Sequence, residues 1–239
     1  MIRLAAGLCA ALLTLAPPAV AAAPVSSPQP LRPADRAGWE DAVRARFGAD
    51  ARLSWDALRA TPTAIRRLAV AAPGIDPASR ALAFCAAHRD LLGLSPALTL
   101  SVDEVTAFRD GVSVKLAAGL DGLVVEGSAL VLTFDASGAV RAVQVDPTPA
   151  ALAPIAQDIG PAAAGAAVRE RFGVAAVGRA TRVAFWRGVG PARQAWRVPA
   201  ALIPWVAHFY VWVDAASGAV LGQAPVSNDQ PVRRLEVVR

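Results

Sequence analysis

Two histidines, His88 and His208, and two cysteines, Cys9 and Cys85, are the whole imidazole and thiol inventory of the 239-residue chain. A zinc-peptidase centre needs a His-Glu-x-x-His pair on one helix face plus a further ligand. Neither histidine stands in such a pair, so that centre cannot be built. Cys85 and His88 lie one helical turn apart and face the same way, but two ligands do not close a metal site. The stretch "ALAFCAAHRDLLGL" instead sets Ala81, Phe84, Cys85, His88, Leu91 and Leu92 on one apolar helical stripe, which makes them core residues. Nucleophilic catalysis needs a histidine beside a serine or cysteine and a carboxylate to orient it. The serines of "GVSVK" and "VEGSAL" lack the G-x-S-x-G elbow. The adjacent carboxylates Asp103/Glu104 and Glu40/Asp41 are expected to point apart into solvent, since neighbours on a strand or helix face different ways. Asp135 and Asp214 belong to turns. No catalytic residue, metal ligand or cofactor-binding residue is assigned, and the chain is read as a non-enzyme without a cofactor.

The charge is +5 with a sequence pI near 10.4, almost all of it arginine, Lys115 being the only lysine. The arginines are scattered and no phosphate-cradling glycine loop accompanies them, which argues against a nucleic-acid partner. Residues 1–21 read as an export signal: Arg3, an apolar run from Leu4 to Ala16 too short to span a bilayer, and the small residues Ala19-Val20-Ala21 before cleavage. The mature chain is expected in the periplasm or outside the cell, with no membrane span. Losing the signal removes Cys9 and leaves Cys85 alone, so packing rather than a disulfide must hold the fold.

The elements that would position any site follow in two rounds. Residues 22–49 give a Pro/Ser-rich linker and a short helix with Trp39, Val43 and Phe47 four apart and Gly48 as its stop. In residues 50–150 Asp76 and Pro77 open a helix that Gly93 is expected to close. Strands follow at "LTLSVDEVTAFR", "GVSVKLAAG", "ALVLTF" and "AVRAVQV", with Asp110-Gly111 as a hairpin turn and Gly138 as another. Pro147 and Pro149 break the chain. Residues 155–227 then repeat the order: a helix from Gly160-Pro161 to Gly173 carrying Ala164, Val168 and Phe172, and strands at "ATRVAFW", "RQAWRV", "HFYVWVD" and "AVLGQ". The stretch "LSWDALRATPTAIRRLAV" alternates too irregularly to assign. The hairpin "LVLTFDASGAVRAVQ" of residues 130–144 returns as "FYVWVDAASGAVLGQ" in residues 209–223. The expected architecture is α+β: two consecutive cystatin-like units, each a helix packed on an antiparallel meander.

Where a hairpin connection is due, "PAALIPWVAHF" places Leu202, Ile203 and Trp205 between prolines, an apolar contact candidate. Residues 228–239 form a charged tail whose "LEVVR" alternation suits strand addition to a partner.

Two stretches carry a family resemblance. "ALAFCAAHRDLLGL" with "VSVKLAAGLDGLVVEGSALVLTFDASGAVRAVQV" resembles the fungalysin/thermolysin propeptide domain, Gly122, Val125, Gly127, Leu130, Asp135 and Gly138 fitting its pattern. Ala195 to Val198 and Val213 to Val220 resemble a PepSY domain. Such domains together form the prosegment of secreted zinc metallopeptidases, which assists folding of the catalytic domain and holds it inactive. The resemblance implies a prosegment without its enzyme, binding an exported metallopeptidase in trans as inhibitor or folding chaperone. Leu123, Val125 and Glu126 of the motif join Leu202, Ile203 and Trp205 as partner-binding candidates. Val124 replaces a proline of the pattern, and Ala117, Ala118, Leu120 and Ala129 put small or apolar groups where polar and aromatic ones are usual. The other readings are a relic of a peptidase precursor and an envelope module for a small apolar ligand or peptide.

Overall fold

The fold was described from a computed structural model covering residues 33–55, 62–174, 176–201 and 208–226. Three helices, each followed by a run of strands, and eleven strands make it up: α1 (Pro33–Phe47), β1 (Arg52–Trp55), β2 (Pro62–Ala71), α2 (Pro77–Ala87), β3 (Leu98–Phe108), β4 (Gly111–Leu120), β5 (Leu123–Asp135), β6 (Ala139–Val145), α3 (Gly160–Phe172), β7 (Ala176–Val177), β8 (Thr181–Phe185), β9 (Arg193–Ala201), β10 (His208–Asp214) and β11 (Val220–Pro225). The export signal, Leu202, Ile203, Trp205 and the tail lie outside the described residues.

The expectation of two consecutive cystatin-like units does not hold. Strand far outweighs helix, and all eleven strands join in one extended sheet of mixed pairing. β5 is its spine. One side of β5 pairs with β4, which pairs in turn with β3. Its other side is shared. Leu130–Phe134 pair antiparallel with β6, and Val125 and Glu126 pair in parallel with Ala184 and Phe185 of β8. The sheet therefore forks at β5, one branch running β6-β2-β1 and the other β8-β9-β10-β11.

The fork has a local cause. Ala117 pairs with Ala129 and Gly119 with Val124, so residues 125–128 of β5 all stand against Ala118. This wide bulge frees the backbone of β5 to turn away from β4. Gly127 takes φ +76°, a left-handed conformation that a side chain resists. Ser128 Oγ donates to the carbonyl of Pro147 at 2.6 Å, and the Asp146 amide donates to Ala129 at 2.9 Å, tying the bend to the linker that follows β6.

Hairpin chemistry sets the remaining registers. Asp121 and Gly122 both have positive φ in the two-residue link between β4 and β5, as the tightest hairpin turns require. The β3–β4 link is Arg109-Asp110 rather than Asp110-Gly111, since Phe108 pairs with Gly111. Gly111 serves a different need, for a Cβ there would come within 3.0 Å of the Phe108 ring and collide with the Phe134 carbonyl. The repeated hairpins do share one device. Asp135 Oδ1 accepts from the Ser137 amide and hydroxyl and the Ala139 amide, and Asp214 Oδ1 accepts from the Ala216 and Ser217 amides and the Ser217 hydroxyl. These bonds hold both carboxyls below the ordinary aspartate range, against the opposing effect of partial burial.

α2 starts in a reciprocal cap, the Ser79 amide donating to Asp76 Oδ1 at 2.8 Å and the Asp76 amide to Ser79 Oγ at 3.2 Å. It stops at Ala87, a turn before Gly93, because His88 caps it by donating its amide to Phe84. α2 packs on β3 and β4, and α3 on β7, β9 and β10. Phe84, Cys85, Leu92, Leu116, Leu130 and Leu132 are fully buried in the larger core, and Val168, Val198, Val211 and Val213 in the smaller. β1 and β2 occupy the unassigned stretch. Arg67 sits in β2 at φ +59° and the register slips between Arg66 and Val70, which destroys the period of two.

Candidate interaction sites: the seam and the free edge

Leu123, Val125 and Glu126 lie at or beside the fork. Val125 is buried in the larger core and Leu123 is half-buried against it. Glu126 points to the other sheet face, where Arg197 of β9 donates from Nη1 to its Oε1 at 2.8 Å. Burial pushes the Glu126 carboxyl above its usual range, and Arg197 offsets only part of that. The same guanidinium lies 5.0 Å from the Tyr210 ring centre, and the Phe185 and Trp212 rings meet nearby, tilted by 31° with centres 5.3 Å apart. On the linker side Ala192 exchanges backbone bonds with Ala151 and Ala153, and Gln194 donates to the Ala153 carbonyl. The side chains of Val125 and Glu126 thus face other parts of this chain and join the two branches, while Leu123 packs on the larger core alone.

Of the residues that depart from the propeptide pattern, Ala118 and Leu120 are buried and fill the core, while Val124 is exposed at the β4–β5 turn. Cys85 and His88 sit in the core, as their stripe indicates. Burial pushes the Cys85 thiol up to about 12. His88 packs edge-on to Phe47 of α1 at 4.8 Å and against Phe84 at 4.6 Å. Burial is the main cause lowering its pKa, and the neighbouring Arg46 adds to it. Among the described residues no three His, Cys, Asp or Glu side chains converge in a way that could hold a metal ion, and no helix is long and apolar enough to cross a membrane.

Among the described residues β1, β3, β7 and β11 each pair on one side only, and β3, at 11 residues, is the longest of these edges. β3 pairs only with β4, so one side of its backbone ladder has no partner among the described residues. Every residue from Ser101 to Phe108 is exposed. On the core-side face Val102 stands opposite the buried Leu116 and Val105 opposite the buried Val114, yet Val102 is 39% and Val105 48% exposed. Burial falls along β3 from Leu98 and the half-buried Leu100 to these exposed valines, and the apolar surface runs on to the rim. On the reverse face Glu104 stands opposite Lys115. A register slip at Asp103 undoes the alternation that would part the two carboxylates. Asp103 Oδ2 lies 2.8 Å from Lys115 Nζ, and Glu104 Oε1 accepts from Thr106 at 2.8 Å. Both carboxylates raise the Lys115 pKa, the Asp103 hydrogen bond most.

No family model matches this chain, and no curated protein is similar to it. Among solved structures it is similar to the Bacillus megaterium YpeB C-terminal domain, at 8% identity and a TM-score of 0.36, over 84% of this chain and 100% of that one.

Proposed function

We propose that the chain is an exported, non-catalytic protein that captures a secreted zinc metallopeptidase in trans, as inhibitor or folding chaperone, by adding one of the peptidase's strands to β3. The observation that carries this reading is the β3 edge: among the described residues it is the longest strand with one ladder side open, and it has an apolar rim at Val102 and Val105. Strand addition obtains its affinity from main-chain hydrogen bonds and its selectivity from the alternate side chains on either face. Folded proteins generally cover or blunt such edges, and an uncovered one is a template for another chain. The propeptide resemblance supplies the partner class.

The test is capture from culture supernatant with the mature chain as bait, run beside a Val102→Lys/Val105→Lys double variant. Both residues are exposed, so the variant keeps its circular dichroism and melting temperature. The reading expects a zinc peptidase bound by the parent and lost by the variant, with peptidase activity falling or refolding yield rising as parent chain is added. Capture of no peptidase, or equal capture by both chains, overturns it.

A further inference from the structure

We infer that the β3 edge selects an extended segment that is apolar on one face and basic on the other, and that it rejects a second copy of itself. This rests on strand addition at β3 as proposed above and names the chemistry of the incoming strand.

The argument is one of charge. The exposed stretch carries two carboxylates, Asp103 and Glu104, and Lys115 of β4 is the one ammonium set against them. Asp103 holds that ammonium directly, while the Glu104 oxygen takes its hydrogen bond from the neutral Thr106. The rim is therefore left with net negative charge at the height of Val102 and Val105. Side chains directly opposite across a ladder come within about 5 Å of each other, where opposite charges attract and like charges repel. Two copies of β3 paired antiparallel through this stretch would bring Asp103 and Glu104 of each against those of the other, with four carboxylates facing two ammonium groups. An incoming strand with lysine or arginine toward Glu104 meets the opposite situation. Its alternate residues meet Val102 and Val105 on the other face, so valine, isoleucine or leucine completes the match.

The experiment uses the full mature chain and three synthetic strand peptides that share a valine face and differ on the other, carrying lysine, serine or glutamate. Isothermal titration at low salt is expected to give a lysine peptide about ten-fold tighter than the glutamate peptide, with serine between, and a gap that narrows as salt screens it. Glu104→Gln should bring the three affinities together without losing the serine peptide. Sedimentation of the chain alone should give a monomer. Equal affinities for the three peptides overturn charge selection and leave strand addition standing. Absence of binding by all three, with peptidase capture intact, places the docking surface elsewhere. A dimer that the lysine peptide dissolves makes the second copy the occupant and overturns the inference.

Discussion

At the scale of single residues, His88 couples the fold to pH near neutrality. Its ring is wedged between Phe47 and Phe84 with Arg46 Nε 3.5 Å from its Nδ1, so a proton there meets both an aromatic niche and a cation. Asp90 opposes the effect and does not reverse it. A folded-state pKa below the unfolded value of about 6.5 means that the unfolded chain binds the proton more readily. The contribution to stability is then complete above that pH and is lost as pH falls below it. The melting temperature should drop between about pH 7 and about pH 5 more steeply for the parent than for His88→Gln. Gly127 tests the fork: alanine there meets no neighbour within 4 Å but inherits φ +76°, so the cost is that of the left-handed backbone alone, about 1–2 kcal/mol in a urea titration. Glu126→Ala strands a half-buried Arg197 and should cost about 1–3 kcal/mol. Cys85, with its thiol pushed up to about 12 and fully enclosed, should resist alkylation in native buffer and react once urea unfolds the chain.

At the scale of elements, the sequence was legible where local chemistry decides the outcome. β3 to β6 and the two Asp-to-Ser-Gly hairpins follow from alternation and turn residues, and α2 from its cap. β2 was hidden because the left-handed Arg67 breaks its period. The apolar stripe predicts too late an end for α2, because Leu91 and Leu92 continue it while the chain has already left the helix at Ala87. The free edge was hidden for another reason. Val102 and Val105 stand opposite the buried Leu116 and Val114 and read as core, and no local signal shows that they stay uncovered. The propeptide motif marks Val125 and Glu126 as contact residues, and the contacts the structure gives them are with β8 and β9. Nothing local in residues 125 and 126 announces a pairing with Ala184 and Phe185.

At the scale of the whole molecule, the shared spine couples the two branches. Trp39 and Trp55 report on one branch and Trp196 and Trp212 on the other, and all should lose their native environment in a single transition. Because Val125 contributes to the core at the fork, Val125→Ala should lower that transition for both branches, by about 1–3 kcal/mol. Two separated transitions in the parent would mean that the seam is too weak to join them.

The fork also imposes an order of assembly. The antiparallel partners of β5 are its neighbours in sequence, whereas β8 arrives only after a linker and a helix, and a parallel partner cannot be supplied by a tight turn. A chain emerging from its amino end completes β1 to β6 first, with Val125 and Glu126 left as a two-residue landing strip. The later strands then grow outward from that seed, as a crystal grows from a step. Severed from it, residues 150–226 would present β8 with its β5 side bare, and such a fragment should stick to copies of itself more readily than the intact chain.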